Sequence, residues 1–172
     1  MANRSADAAS EMEHHLANKM DLYFLRHGEA DWPDWKKDDD ERPLTKAGKK
    51  EMDEVGAFLK KVKARPDLIV TSPLPRAAQT AEIAAKHLKI KFREDKFLRP
   101  GFGRDELERL LRKYPEESIM IVGHEPDFSE TISGLTGASL KLPKAGVALL
   151  ELNRSWKNGR LLWLFPPKFA KK

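Results

Sequence analysis

The sequence predicts an α/β fold: a three-layer α/β/α sandwich whose mostly parallel sheet carries helices on both faces. Two observations predict it. Short apolar runs at residues 22–25, 67–71 and 118–122 are bounded by charged or turn residues, as strands buried on both faces are. The segments between them repeat apolar residues at three- and four-residue steps, the period of amphipathic helices. Strands that alternate with helices need crossover connections, and crossovers make parallel neighbours.

The elements follow in order. Residues 1–19 are polar and alanine-rich and read as a flexible extension to one domain spanning 20–172. His14 and His15 are adjacent, so they face different ways on a helix, and no further ligand stands near them. The first strand runs into Arg26-His27-Gly28. An acidic loop with Trp32 and Trp35 follows at 31–40, where Pro33 and the aspartates argue against a helix. Thr45 then caps a helix whose apolar face is Met52, Val55, Leu59 and Val62, closed by Pro66. Behind the second strand, 72–76 opens a helix with the stripe Ala77, Ala81, Ala84 and Leu88, small enough for close packing on the sheet. Residues 90–93 alternate and suggest a short edge strand. Leu107, Leu110, Leu111 and Tyr114 face a third helix that stops before Pro115. The third run ends in Gly123-His124-Glu125-Pro126, with a helix expected over 127–135. Residues 146–152 and 161–165 complete the sheet as a hairpin across Asn158-Gly159.

Composition excludes several classes. A chain of 172 residues, 40% of them hydrophobic, suits one domain with a real core. With no cysteine there is no disulfide framework, thiolate zinc site or cysteine nucleophile, and a reducing compartment is compatible. No run approaches a membrane span, and the N-terminus lacks the apolar core of a signal peptide, so a cytoplasmic protein is expected. The net charge of +5 is a mild excess, compatible with an acidic or phosphorylated partner, and most of the lysines read as solvated helix faces. No clustered basic stripe with aromatics points to nucleic acid.

Three strand-end loops each contribute basic groups: Arg26-His27, Arg76 and Gly123-His124. Parallel strands bring such ends to one rim, where open α/β sheets bind ligands. Arginine presents a donor fork suited to phosphate, and histidine a ring nitrogen mostly neutral near neutral pH. Gly28 lets the backbone approach a ligand. Two arginines and two histidines suit a doubly charged phosphoryl group, with no metal or cofactor needed.

Four motifs occur in order: Leu25-Arg26-His27-Gly28-Glu29, Arg42-Pro43-Leu44-Thr45-Lys46-Ala47-Gly48, Thr71-Ser72-Pro73-Leu74-Pro75-Arg76-Ala77-Ala78-Gln79-Thr80-Ala81 and Val122-Gly123-His124-Glu125-Pro126. Together they resemble the histidine phosphatase superfamily, the phosphoglycerate-mutase-like fold. Within it the short chain is most similar to the SixA-type phosphohistidine phosphatases. The resemblance covers nearly all of 21–168. It implies His27 as the nucleophile that becomes phosphorylated, Arg26 and Arg76 as holders of the phosphoryl oxygens, and His124 as a further donor to them. Arg42 matches a pocket-lining position of the short members.

Larger members carry a carboxylate after the third strand that protonates the leaving oxygen. Here that region reads Lys96-Phe97-Leu98-Arg99-Pro100-Gly101, without one. An alkoxide leaves poorly without a proton, whereas a protonated phosphohistidine ring leaves as neutral imidazole. Glu29, Asp31, Asp105 and Glu106 are the carboxylates that could supply an acid from another direction. The resemblance thus implies a metal-independent phosphohistidine phosphatase acting on a phosphotransfer domain or phosphocarrier, with a site open enough for a protein side chain and a monomer expected. Two competitors keep the motifs: a broad small-molecule phosphomonoesterase, and a non-catalytic module that binds phosphoproteins.

Overall fold

The computed structural model describes residues 19–170. Six strands form one sheet in the order β3-β2-β4-β1-β5-β6. They are β1 (Lys19–Arg26), β2 (Leu68–Thr71), β3 (Phe92–Glu94), β4 (Ser118–Gly123), β5 (Val147–Asn153) and β6 (Gly159–Phe165). The helices are α1 (Lys46–Lys61), α2 (Pro75–Leu88), α3 (Arg104–Lys113) and α4 (Asp127–Thr136). β1, β4, β2 and β3 run parallel to one another, β5 pairs antiparallel with β1, and β6 antiparallel with β5. The three-layer, mostly parallel α/β sandwich is the architecture.

Strand side chains alternate between faces, so one sheet feeds two cores. Leu22, Phe24, Val70, Ile119 and Ile121 join α3 and α4 through Leu107, Leu110, Phe128 and Ile132. Tyr23, Leu25, Ile69, Met120 and Val122 join α1 and α2 through Met52, Val55, Leu59, Ala77, Ala81 and Ala84. Both faces of β1, β2 and β4 are therefore covered, which is why these strands read as continuous apolar runs.

Several boundaries differ from the sequence reading. Lys19, assigned to the extension, is the first residue of β1, and its ammonium lies 3.0 Å from the Glu151 carboxylate. The rest of the expected extension, including His14 and His15, lies outside the described residues. Val62 is exposed, because α1 ends at Lys61 and leaves Val62 as its C-cap. The β5–β6 connection is not a tight turn at Asn158-Gly159. It runs through residues 154–158 with Trp156 at φ 55°, and Gly159 already belongs to β6. A side chain there would meet Leu152 at 2.5 Å.

The second motif is a docking device. The Thr45 hydroxyl accepts from Gly48 N at 2.9 Å and donates to Glu29 Oε1 at 3.1 Å. Thr45 N donates to the Glu29 carbonyl at 3.0 Å. That carbonyl presses against α1 where Gly48 sits, and a Cβ on Gly48 would stand 2.1 Å from it. Backbone cannot yield as a flexible side chain can, so Gly48→Ala is expected to cost about 1–3 kcal/mol or more, as overpacking does. The check is the urea midpoint of the variant; an unchanged midpoint would show that the loop after His27 is not held this way.

Candidate active site

β1 and β4 pair in a register that sets Arg26 opposite Gly123. One more bond, His27 N to the Gly123 carbonyl at 3.1 Å, carries the ladder past the strand end. The His27 carbonyl accepts from Ala145 N at 3.1 Å. The His27 and His124 rings consequently sit side by side, their centroids 5.3 Å apart. Arg76 is on the first turn of α2, just past β2, and is almost wholly buried. Four of the five side chains expected at the site thus stand on one rim, and Arg42 joins them through a shared partner. Asp39 receives Arg42 Nη2 at 2.8 Å on one carboxylate oxygen and Arg76 Nη2 at 3.3 Å on the other.

The tautomer of His27 is fixed by a neighbour. Its Nδ1 lies 2.7 Å from the Gly28 carbonyl, which can only accept. Nδ1 therefore carries the proton and Nε2 the lone pair. Burial pushes the His27 pKa down to about 4, against the upward pull of that carbonyl, and the charges of Arg76, Arg26 and Arg42 add to the depression. His124 falls further, to about 3, through burial and then through His27, Arg76, Arg26 and Arg99. Both rings are neutral at pH 7, which suits a nucleophile. Burial lowers the pKa of Arg26 and Arg76 as well, but a guanidinium keeps its charge.

The site's donors are only partly used. Arg26 Nη1 donates to the Leu142 carbonyl at 2.9 Å, and His124 Nε2 lies 2.9 Å from Ser72 Oγ. Arg26 Nε, Arg42 Nε, Arg76 Nε and His124 Nδ1 are buried with no partner among the described residues. Buried polar atoms are rarely left so. Glu116 Oε2 and Ser118 Oγ share this state elsewhere, but the four on this rim all belong to residues expected at the site.

Gly28 has a different role from the expected contact with phosphate. Its N–H donates to Thr80 Oγ1 at 3.1 Å and its carbonyl holds His27. A Cβ there would meet Met52 at 2.9 Å, so packing against α1 requires the glycine. Gly123 likewise makes room for the Phe128 ring. The sequence reading missed the residues that do the holding: Thr80, Ser72, the Gln79 side chain that accepts from Leu44 N at 2.9 Å, and the acidic turn with Asp39. Thr80, Gln79 and Ser72 all lie in the third motif, which was the available signal.

Comparison with known proteins agrees. Residues 22–106 match the model of the histidine phosphatase superfamily, branch 1. A protein of Picosynechococcus sp. is 38% identical over 137 residues, covering 74% of this chain and 82% of that one. The chain belongs to the histidine phosphatase superfamily. The uncharacterized phosphatase PhoE of Bacillus subtilis, a further relative, is 37% identical over 81% of this chain and 67% of its own. Among solved structures, the protein histidine phosphatase SixA complexed with tungstate superposes with TM-score 0.79 over 88% of this chain and 100% of that one, at 24% identity. The putative phosphohistidine phosphatase SixA of Agrobacterium tumefaciens gives 0.74, covering 86% and 98%, also at 24% identity. This histidine phosphatase therefore has a SixA-like fold. No helix among its described residues is long and apolar enough to cross a membrane.

Two predictions follow from the held imidazole. In the free protein His27 stays neutral, protonated on Nδ1, until the pH falls to about 4. Histidine 15N shifts across a pH titration report both tautomer and midpoint, and a midpoint near 6.5 would contradict the buried setting. Thr80 donates to the Arg76 carbonyl at 2.7 Å while accepting from Gly28 N, so it is a positioning residue. Thr80→Val leaves a buried donor unsatisfied, at about 1–3 kcal/mol. It should lower kcat with little change in KM and blur the His27 tautomer, and Thr80→Ser should restore both. Failure of the serine to rescue would leave Thr80 a packing residue only.

Proposed function

We propose that this phosphatase removes the phosphoryl group from a phosphorylated histidine of another protein, through a covalent phospho-His27 intermediate and without a metal ion. The lone pair on His27 Nε2 attacks phosphorus in line. The P–N bond to the substrate ring breaks, and that ring, already protonated on its other nitrogen, leaves as neutral imidazole. Arg26, Arg42 and Arg76 supply charge and donors to the equatorial oxygens, where charge is spread during transfer, and neutral His124 adds a ring N–H donor. His27 becomes cationic as it gains the phosphoryl group, and its Nδ1–H bond to the Gly28 carbonyl supports that charge. Water then attacks the phosphorus of phospho-His27, the P–N bond breaks, and inorganic phosphate departs.

The placement of the carboxylates is the observation that favours a phosphohistidine over an alkyl ester. Glu29 accepts from Thr45, and Glu106 accepts from Gly103 N at the start of α3. Asp31 bonds Lys144 and lies 3.8 Å from Arg42; the Lys144 bond holds its carboxyl below the usual range, with both cations adding to the effect. A carboxylate held ionised is a poor proton donor. Asp105 stands in the exposed first turn of α3. A protonated imidazole asks for none of them. A histidine-phosphorylated phosphotransfer domain or phosphocarrier is the partner that this chemistry fits. The likeness to a protein histidine phosphatase with bound tungstate supports the same reading.

Rapid quench with a phosphoryl donor should give an acid-labile phosphate on His27 by mass spectrometry, and His27→Ala should lose both label and turnover. Turnover should survive EDTA. Across substrates, a phosphohistidine peptide should be fastest, an aryl phosphate slower and an alkyl phosphate slowest, since each decade is about 1.4 kcal/mol of leaving-group stabilisation that the protein does not supply. An alkyl phosphate turned over as fast as the peptide would replace this reading with a general phosphomonoesterase.

A further inference from the structure

The turn formed by Asp39–Glu41 lies over the phosphoryl-binding arginines, and its first residue contacts two of them. The two Asp39 carboxylate oxygens are divided between Arg42 and Arg76, at 2.8 and 3.3 Å. The Asp39 carbonyl takes a further bond from Arg76 Nη1 at 2.7 Å. Two oxygens of one anionic group shared between two guanidiniums is also how a phosphoryl group would be held, since the arginine fork fits carboxylate and phosphate alike.

The backbone of the turn is anchored independently of that carboxylate. Asp38 accepts from Asp40 N at 2.9 Å, Trp35 Nε1 donates to the Asp38 carbonyl at 2.9 Å, and Arg99 lies 2.6 Å from Asp40. The Asp39 side chain is 63% exposed, whereas that of Arg76 is 5% exposed. The carboxylate can therefore rotate into water while the arginine stays.

We infer that Asp39 is an affinity-determining residue of the phosphoryl subsite, a built-in competitor whose carboxylate holds Arg42 and Arg76 until an incoming anion displaces it. Every anion then binds more weakly by the same factor. Weakly held anions, the product phosphate among them, do not accumulate in the site. When the site empties, the carboxylate returns and keeps two crowded cations paired. The inference rests on the reading of this rim as a phosphoryl site, but not on the identity of the leaving group.

The test uses binding alone. Tungstate and inorganic phosphate are titrated calorimetrically into the parent protein, Asp39→Asn and Asp39→Ala. Both variants should bind about fivefold more tightly, equivalent to ~1 kcal/mol, the upper range for a pair open to water. Asp34→Asn, which removes the same charge from the same loop but pairs with neither arginine, should bind like the parent. In the parent protein the 13C signal of the Asp39 carboxyl should shift as tungstate is added. Unchanged or weaker binding in the Asp39 variants would overturn the proposal, as would equal tightening in Asp34→Asn or a carboxyl signal that does not move. Absence of phosphohistidine turnover would not alter these results, so the two readings fail separately.

Discussion

The parallel register of β1 on β4 is the constraint on which the rest of the molecule depends. With Arg26 opposite Gly123, two strands end level, and their next residues are two histidines. A shift of one residue would turn Leu22 and Phe24 out of one core and Tyr23 and Leu25 out of the other. The two covered faces therefore specify the register, and the register specifies the distance between the rings. The same sheet brings the end of β2 alongside through its pairing with β4, and with it Ser72 and Arg76. Hydrophobic burial in the two cores thus fixes where His27 stands.

Crowding basic groups at one rim has an electrostatic consequence, and two kinds of residue answer it differently. The histidines remain neutral, with pKa values near 4 and 3. The arginines cannot lose their protons and draw on carboxylates and carbonyls instead. Neutral buried histidines also tie stability to pH. Their folded pKa lies below the unfolded value of about 6.5, so below that pH the unfolded chain binds protons that the folded chain refuses. Stability is complete above about 6.5 and declines as the pH falls toward 4 and 3.

Much of this was legible in the sequence because the signals are local. The three apolar runs became β1, β2 and β4, and the helical stripes became α1 to α3 with Val62 as the misplaced residue. His27, Arg26, Arg76 and His124 stood out in the sequence because each lies at the end of an apolar run or at the start of the segment that follows one. What escaped depends on contacts between distant segments. Asp39 meets Arg76 across 37 positions, and Thr80 meets Gly28 across 52. An acidic loop reads as a solvated surface until the fold shows which cations it faces. The β5–β6 turn escaped for a related reason: Asn158-Gly159 has the composition of a tight hairpin, but packing of Gly159 against Leu152 assigns it to the strand.

The motifs divide into groups that do chemistry and a larger set that hold those groups in place. In the second motif, Thr45 and Gly48 dock the Glu29 backbone on α1, and Leu44 N is held by Gln79 of the third. In the third, Thr80 ties Gly28 to the Arg76 carbonyl, so the loop after His27 and the helix that carries Arg76 are fixed to one hydroxyl. None of these bonds involves the substrate's leaving group. The motifs therefore hold His27 and Arg76 in place, and the rim around them is built from other contacts. In this chain the rim includes the turn with Asp39, the exposed Trp32 beside it, and Arg99 paired to Asp40. Asp39 meets Arg42 and the buried Arg76, and Asp40 meets Arg99, so these polar contacts lie outside the two hydrophobic cores.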